Sequence, residues 1–177
     1  MKKIWVLIVL FLLVGFGLWY SMSLQSPRSP IAITSFEECA AAGNPIQESY
    51  PARCTGPDGQ TFTQEIGNEL EYSDVIQVSS PRPNAIVTSP LTITGQARGT
   101  WYFEANFPIE LQDANGVVLG TSFGTATGEW MTEDFVPFTA DLMFTAPSTP
   151  TGNLIIKNAN PSGLPENEKI LTIPVVF

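Results

Sequence analysis

The chain has 177 residues, enough for one domain of ordinary size with additions. Eight basic against 17 acidic residues give a net charge of −9, and with Lys2 and Lys3 set aside the balance is six against 17, or −11. Such a surface repels phosphate backbones, which argues against nucleic acid as a partner, and the absence of histidine removes the commonest general base, the commonest metal ligand and every Ser-His-Asp or Cys-His arrangement.

Fifteen Pro and 14 Gly point to many short strands and turns rather than helices. Residues 1–24 read as a targeting segment. Lys2 and Lys3 precede residues 4–20, an uncharged apolar run expected to be helical. Its length sits at the lower limit for crossing a bilayer of about 30 Å and above a typical signal-peptide core. Trp19 and Tyr20 at its end suit a membrane interface. The reading is an uncleaved anchor, with a cleaved signal peptide as the alternative. Either way the lysines stay inside, and the rest is placed outside the cytoplasm.

Residues 25–35 form a Pro/Ser-rich spacer. Residues 36–64 form a small module. Ser35 is placed to cap a short helix, with Glu38 closing a capping box and Gly43 ending it. The turn Gly56-Pro57-Asp58-Gly59 then implies a small hairpin. The module is too small for a core of its own. Cys39 and Cys54 are the only cysteines, and a disulfide between them is expected as a staple, not a redox centre. In the chain-entropy model a loop of this size is worth about 3 kcal/mol. A metal site would need two more ligands, and no histidine supplies them.

Residues 50–62 are similar to part of a Kazal-type protease inhibitor, although that family uses three disulfides and this stretch can form one. The similarity implies an alternative function, secreted protease inhibition, with Arg53 beside Cys54 offered to a trypsin-like enzyme. Residues 65–75, with Glu65, Glu69, Glu71 and Asp74, read as a solvated acidic linker.

Residues 76–177 carry the strand signals. Ile76 and Val78 open a strand that stops at Pro81 and Pro83, and Ile86 and Val87 resume it. Leu91, Ile93, Gly95 and Ala97 alternate with polar residues. Then comes the longest alternation, residues 101–111. Trp101, Phe103, Ala105, Phe107, Ile109 and Leu111 share one parity, and Tyr102, Glu104, Asn106, Pro108 and Glu110 the other. One buried and one wet strand face follow from that pattern. Asp113-Ala114-Asn115-Gly116 is a turn before a return strand. Residues 135–144, 154–157 and 170–177 complete the set, with Pro174 marking the last as an edge. About seven strands in about 100 residues is the count of an immunoglobulin-like antiparallel β-sandwich. Trp101 would then stand where such domains bury a tryptophan.

Several motifs carry a family resemblance: Ser89-Pro90-Leu91, Gly95-Gln96-Ala97, residues 101–107, Asp113-Ala114-Asn115-Gly116, Trp130-Met131, Phe135-Val136-Pro137-Phe138 and Asn160-Pro161-Ser162-Gly163. With them, residues 80–177 resemble the immunoglobulin-like domain of bacterial spore germination. The resemblance implies an exported sandwich, and brings neither a catalytic mechanism nor an established ligand.

No residue set marks a catalytic or metal site, and no cofactor is expected. Glu104, between aromatics, reads as a partly buried carboxylate that fixes Trp101 or a backbone amide, with a ligand contact as the alternative. Asp113 lacks the further acidic residues of a calcium loop. Glu129, Glu133 and Asp134 around Trp130 read as a loop rather than as paired glycosidase carboxylates. Tyr102 and Trp130 are candidate contact aromatics. The expectation is a non-enzymatic envelope protein, tethered or secreted, that binds or scaffolds an envelope protein or a glycan.

Overall fold

The computed structural model describes residues 32–177. The chain divides into two compact units, Met1–Thr34 and Ser35–Phe177, and the elements described below lie in the second. The expected hydrophobic helix falls outside the described residues. Among those described, no helix is long and apolar enough to cross a membrane.

The second unit opens with α1 (Phe36–Ala41). Ser35 caps it, its hydroxyl accepting from the Glu38 amide at 3.1 Å. Gly43, at φ +76°, ends it, as only glycine does cheaply. Strands β1 (Ile46–Gln47), β2 (Arg53–Thr55) and β3 (Thr61–Thr63) form a three-stranded antiparallel sheet in that order. The Cys39–Cys54 disulfide ties α1 to the middle strand. Both sulfur-bearing residues are fully buried, so the bridge stands in for the core this module lacks.

The connector from 65 to 75 is not a solvated linker throughout. Glu69 is only 6% exposed. Asn68 bonds into the sheet, its Nδ2 donating to the Ile170 carbonyl at 2.9 Å and its Oδ1 accepting from the Thr172 amide at 2.7 Å. An acidic composition reports average solvation, but here two polar side chains found buried partners.

Seven strands follow: β4 (Ile76–Ser80), β5 (Leu91–Arg98), β6 (Asn106–Asp113), β7 (Val118–Ala126), β8 (Phe135–Leu142), β9 (Thr151–Lys157) and β10 (Ile170–Val176). They pair in the order β10-β9-β6-β7-β8-β5-β4, every neighbour antiparallel. At the β7–β8 junction only Thr125↔Thr139 and Ala126↔Phe138 pair, and there the sheet turns a corner. One layer is β10-β9-β6-β7 and the other β8-β5-β4. Contact across the interior shows the layering: Phe107 of β6 meets Phe138 of β8 edge-on at 4.9 Å, although the two strands are not ladder neighbours. The segment after β4 crosses layers, and Ile86 bridges Val176 in parallel. This is an immunoglobulin-like β-sandwich, with Ile93, Ile109, Leu142, Leu154, Ile156, Leu171 and Ile173 in its shared core.

The longest alternation needs a correction. The strand starts at Asn106, not at Trp101. Gly99–Trp101 is a 3-10 turn. Glu104 and Ala105 then take φ of +51° and +63°, and Phe103 and Asn106 exchange backbone hydrogen bonds at 3.0 and 3.1 Å around them. The chain reverses there, so parity upstream of Asn106 carries no information. Trp101 and Tyr102 are both buried, whereas Phe103 is 48% exposed. Trp101 fills the core from a turn, edge-on to Tyr72 at 5.7 Å.

Gly124 of β7 is required by packing. A Cβ there would lie 2.3 Å from the Phe107 ring. Gly124→Ala is expected to cost about 1–3 kcal/mol through overpacking. Adding Phe107→Leu should make the pair less costly than the sum of the two single changes, as for residues in contact. Urea unfolding of the four chains measures this, and strict additivity would remove the claimed contact.

Candidate functional site

Among the described residues, two concave places on the surface of the second unit stand out. The first is built at the start of the longest hairpin. The tight turn at Glu104 and Ala105 presents Phe103. Pro108 and Phe123 face each other outward on β6 and β7, as a register pair. Ala159 and Pro161 come from the loop after β9, which the Ala159 amide fastens to the Trp101 carbonyl at 2.9 Å. Phe107 forms the floor. Together these residues line a groove of about 260 Å³. Its rim is apolar and open, with Phe123 62% and Phe103 48% exposed.

The polar side chains at this groove are already occupied. Asn106 donates through Nδ2 to the Glu104 carbonyl at 2.9 Å and accepts through Oδ1 from the Thr125 hydroxyl at 2.8 Å. Asn160 donates to the Leu164 carbonyl at 2.8 Å and accepts from the Ser162 hydroxyl at 2.5 Å. These bonds hold the two loops in shape. The turn itself is costly: two successive non-glycine residues at positive φ store strain, on the order of 1–3 kcal/mol each. Such strain persists only where the surroundings hold it, and it concentrates at ligand-contacting sites.

One comparison decides the family. The sequence pattern of the immunoglobulin-like domain of bacterial spore germination matches residues 75–163. The chain belongs to that family. No curated protein and no solved structure matches it. Every residue lining the groove falls within the stretch that defines this spore-germination domain.

The second concavity, about 380 Å³, lies outside β4. Tyr50 from the disulfide module and Glu69 from the connector meet Arg82 there. Arg82 grips Glu69 with both guanidinium nitrogens, at 2.6 and 3.2 Å, donates to the Val78 carbonyl at 2.7 Å, and lies over the Tyr50 ring at 5.2 Å. The Tyr50 hydroxyl donates to Glu69. Burial first, then the bonded Glu69 carboxylate, pushes the Tyr50 phenol up to about 12. The cluster fastens the spore-germination domain to a module that lies outside the family match.

The other sequence candidates fall into separate places. Glu104 is exposed, and its carboxylate makes no bond to Trp101 or to an amide; its left-handed backbone sits at the tip of a turn and turns the side chain out. Tyr102 is buried, and its hydroxyl donates to the Val136 carbonyl at 2.8 Å. Burial pushes that phenol up to about 12. Trp130 packs half-buried against the core. Glu129 accepts from the Met131 amide, and the Glu133 carbonyl accepts from Arg98, whose guanidinium stacks on Phe135 at 4.6 Å. Arg53 lies on the middle strand β2, in register with Gln47 on one side and Thr63 on the other. No free backbone edge remains there for a protease cleft to pair with.

Sequence reasoning passed over Phe123, Pro108, Arg82 and Tyr50. Phe123 had a signal in being the one bulky side chain in Gly120-Thr121-Ser122-Phe123-Gly124-Thr125, but it shares the parity of the buried Leu119, so periodicity pointed it inward. The Arg82 cluster had none, because its members are far apart in sequence.

Asp113 is a turn residue. Its Oδ2 accepts from the Ser148 hydroxyl at 2.5 Å, and its Oδ1 accepts from the amides of Val117 and Asn115, both at 2.9 Å. The Ser148 bond first, then the Val117 amide, holds this carboxyl below its ordinary 3.8. A lowered folded value means that its stabilisation is complete above 3.8 and is lost as pH falls through the lower folded value. Ser148→Ala is therefore expected to bring the Asp113 titration, followed by NMR, back toward 3.8. Stability should then change less steeply below about pH 4. An unmoved titration would refute the role given to Ser148.

Arg82→Ala leaves Glu69 buried without its cation, and is expected to cost about 2 kcal/mol. Arg82→Lys, which keeps the charge but loses the fork, should cost less. Thermal unfolding compares them; equal stability of Arg82→Ala and wild type would show the cluster to be inert.

Proposed function

We propose that this spore-germination domain protein is a non-enzymatic binding module of the bacterial cell envelope. Its sandwich is held outside the cytoplasm by the apolar run at residues 4–20, and it grips a protein partner in the groove between Phe103 and Phe123. The observation that carries this reading is the groove itself: two exposed aromatic rings, beside a strained turn, inside the part of the chain that defines the family. Aromatic side chains in apolar pockets supply most of the affinity in protein interfaces. Strain kept at a turn that could have been a relaxed Asn-Gly is accounted for if the turn holds Phe103 for a partner.

A protein suits the groove better than a glycan. Sugars are held by several free hydrogen-bonding side chains beside an aromatic platform; both amides here already bond within the protein, which leaves chiefly the Glu104 carboxylate beside the rings. The chain has no histidine to serve as a general base, and its two cysteines are joined and so not nucleophiles. Export is supported by the charge-free run after Lys2 and Lys3 and by the disulfide, a bond of oxidising compartments.

A photocrosslinking residue at position 123, in the full-length protein in its native cell, tests the reading. A discrete adduct is expected from 123. None is expected from position 92, exposed on the opposite layer, where Thr92 bonds to Asp141. Equal adducts from both positions, or none from 123, would sink it.

A further inference from the structure

We infer that the occupant of the Phe103–Phe123 groove is an extended, proline-bearing peptide segment carrying basic residues. This rests on the binding-module reading above and names the chemistry of its partner. Three observations lead there.

The first is what the groove lacks. Strand β6 is paired on both sides, with β7 and β9, and Pro108 has no amide to give. A peptide therefore cannot add to the sheet here as another strand. Both polar side chains at the groove are bonded within the protein. A bound segment finds few partners there for its backbone and leaves most of those polar groups in water. That is the state of a polyproline II helix, whose backbone is solvated and makes no internal hydrogen bonds.

The second is what the groove offers. Two exposed phenyl rings and the flat faces of Pro108 and Pro161 bound a shallow apolar channel. Pyrrolidine rings are rigid and lose little entropy on docking. Aromatic-lined grooves recognise them in this extended form.

The third is charge. No basic residue lines the channel. Glu104, next to Phe103, is exposed, and among the described residues no cation pairs with its carboxylate. Glu110 lies two residues beyond Pro108 on the same outward face; among the described residues Lys157 pairs with it at 3.3 Å and the Gln112 side chain donates to it at 3.1 Å. The whole chain carries −9. A basic residue on the peptide would meet Glu104 at the end of the groove where the strained turn holds it.

The test is calorimetric titration of the full-length protein with a short synthetic peptide built on a Pro-x-x-Pro core flanked by arginine. Three controls accompany it: the same peptide with alanine for proline, the same peptide with glutamate for arginine, and a peptidoglycan-derived oligosaccharide. Saturable binding of the first peptide is expected. Phe123→Ala and Phe103→Ala, both at exposed positions and so compatible with folding, should each weaken it at least about tenfold. Glu104→Gln should weaken it less, and added salt should weaken the wild type but act less on that variant. The alanine and glutamate peptides should both bind more weakly.

Failure of the proline peptide to bind, or binding that neither phenylalanine variant alters, overturns the inference. So does selective binding of the oligosaccharide. A crosslink from position 123 together with silent peptides would show that the occupant is wrong while the module reading stands. Loss of the crosslink as well would remove both.

Discussion

The interior contact between Phe107 and Phe138 is the constraint on which the layered architecture rests. Hydrogen bonding alone describes a single seven-stranded sheet, joined at its corner by two residue pairs. What folds that sheet on itself is burial, worth roughly 25 cal/mol per Å² of apolar surface. The two rings meet at the centre of that buried surface. Both need room that another side chain would take. Gly124 leaves space for Phe107, and Gly95 leaves it for Phe138, where a Cβ would lie 2.8 Å from the ring. Tyr102 completes the row against Phe107 at 5.2 Å, its hydroxyl satisfied by the Val136 carbonyl.

The same ring links the core to the surface. Phe107 is buried against Phe138 on one side and forms the floor of the groove on the other. It lies two residues after the strained turn, so Phe103 is displayed from a backbone fixed at its base by a fully buried ring. The loop that supplies Pro161 is tied to the Trp101 carbonyl through Ala159. A site on such supports loses little freedom when it is occupied, which is how a small groove reaches useful affinity. It also explains why Trp101 sits in a turn rather than on a strand. Its bulk props the segment from which one groove loop departs and to which the other is bonded.

The architecture was legible wherever a strand obeyed the period of two. Leu91, Ile93 and Ala97 on β5, and Phe138, Ala140 and Leu142 on β8, all point inward as their parity requires. The Ser35 cap, the Gly56–Gly59 turn and the Cys39–Cys54 bridge were equally readable, because each is a local rule. The alternation from 101 to 105 misled for a physical reason. Periodicity reports a strand only while the chain stays extended, and the reversal at Glu104 and Ala105 uses neither glycine nor asparagine at its positive-φ positions. No composition signal marks that turn. The turn sits at the candidate site, where local preference yields to a geometry imposed by neighbours. The groove was half legible: Asn160-Pro161-Ser162-Gly163 stood out as a family motif, while Phe123 looked like one more strand residue.

The edges of the sandwich bear on how it can bind. Exposed edge strands invite pairing with other chains. On β10 the outer edge is taken: Asn68 meets Thr172, the Asn84 amide donates to the Pro174 carbonyl at 2.7 Å, and Ala85 and Val87 bond to Val176. On β4 the Arg82 guanidinium occupies the Val78 carbonyl while Glu69 and Tyr50 hold it in place. The disulfide module thus contributes a side chain that helps to block the second edge, which gives a physical reason for a stapled appendage outside the family stretch. Strand addition is hindered at both edges, which leaves side-chain surface as the open route for contact. The aromatic groove on the β6–β7 hairpin is one such surface.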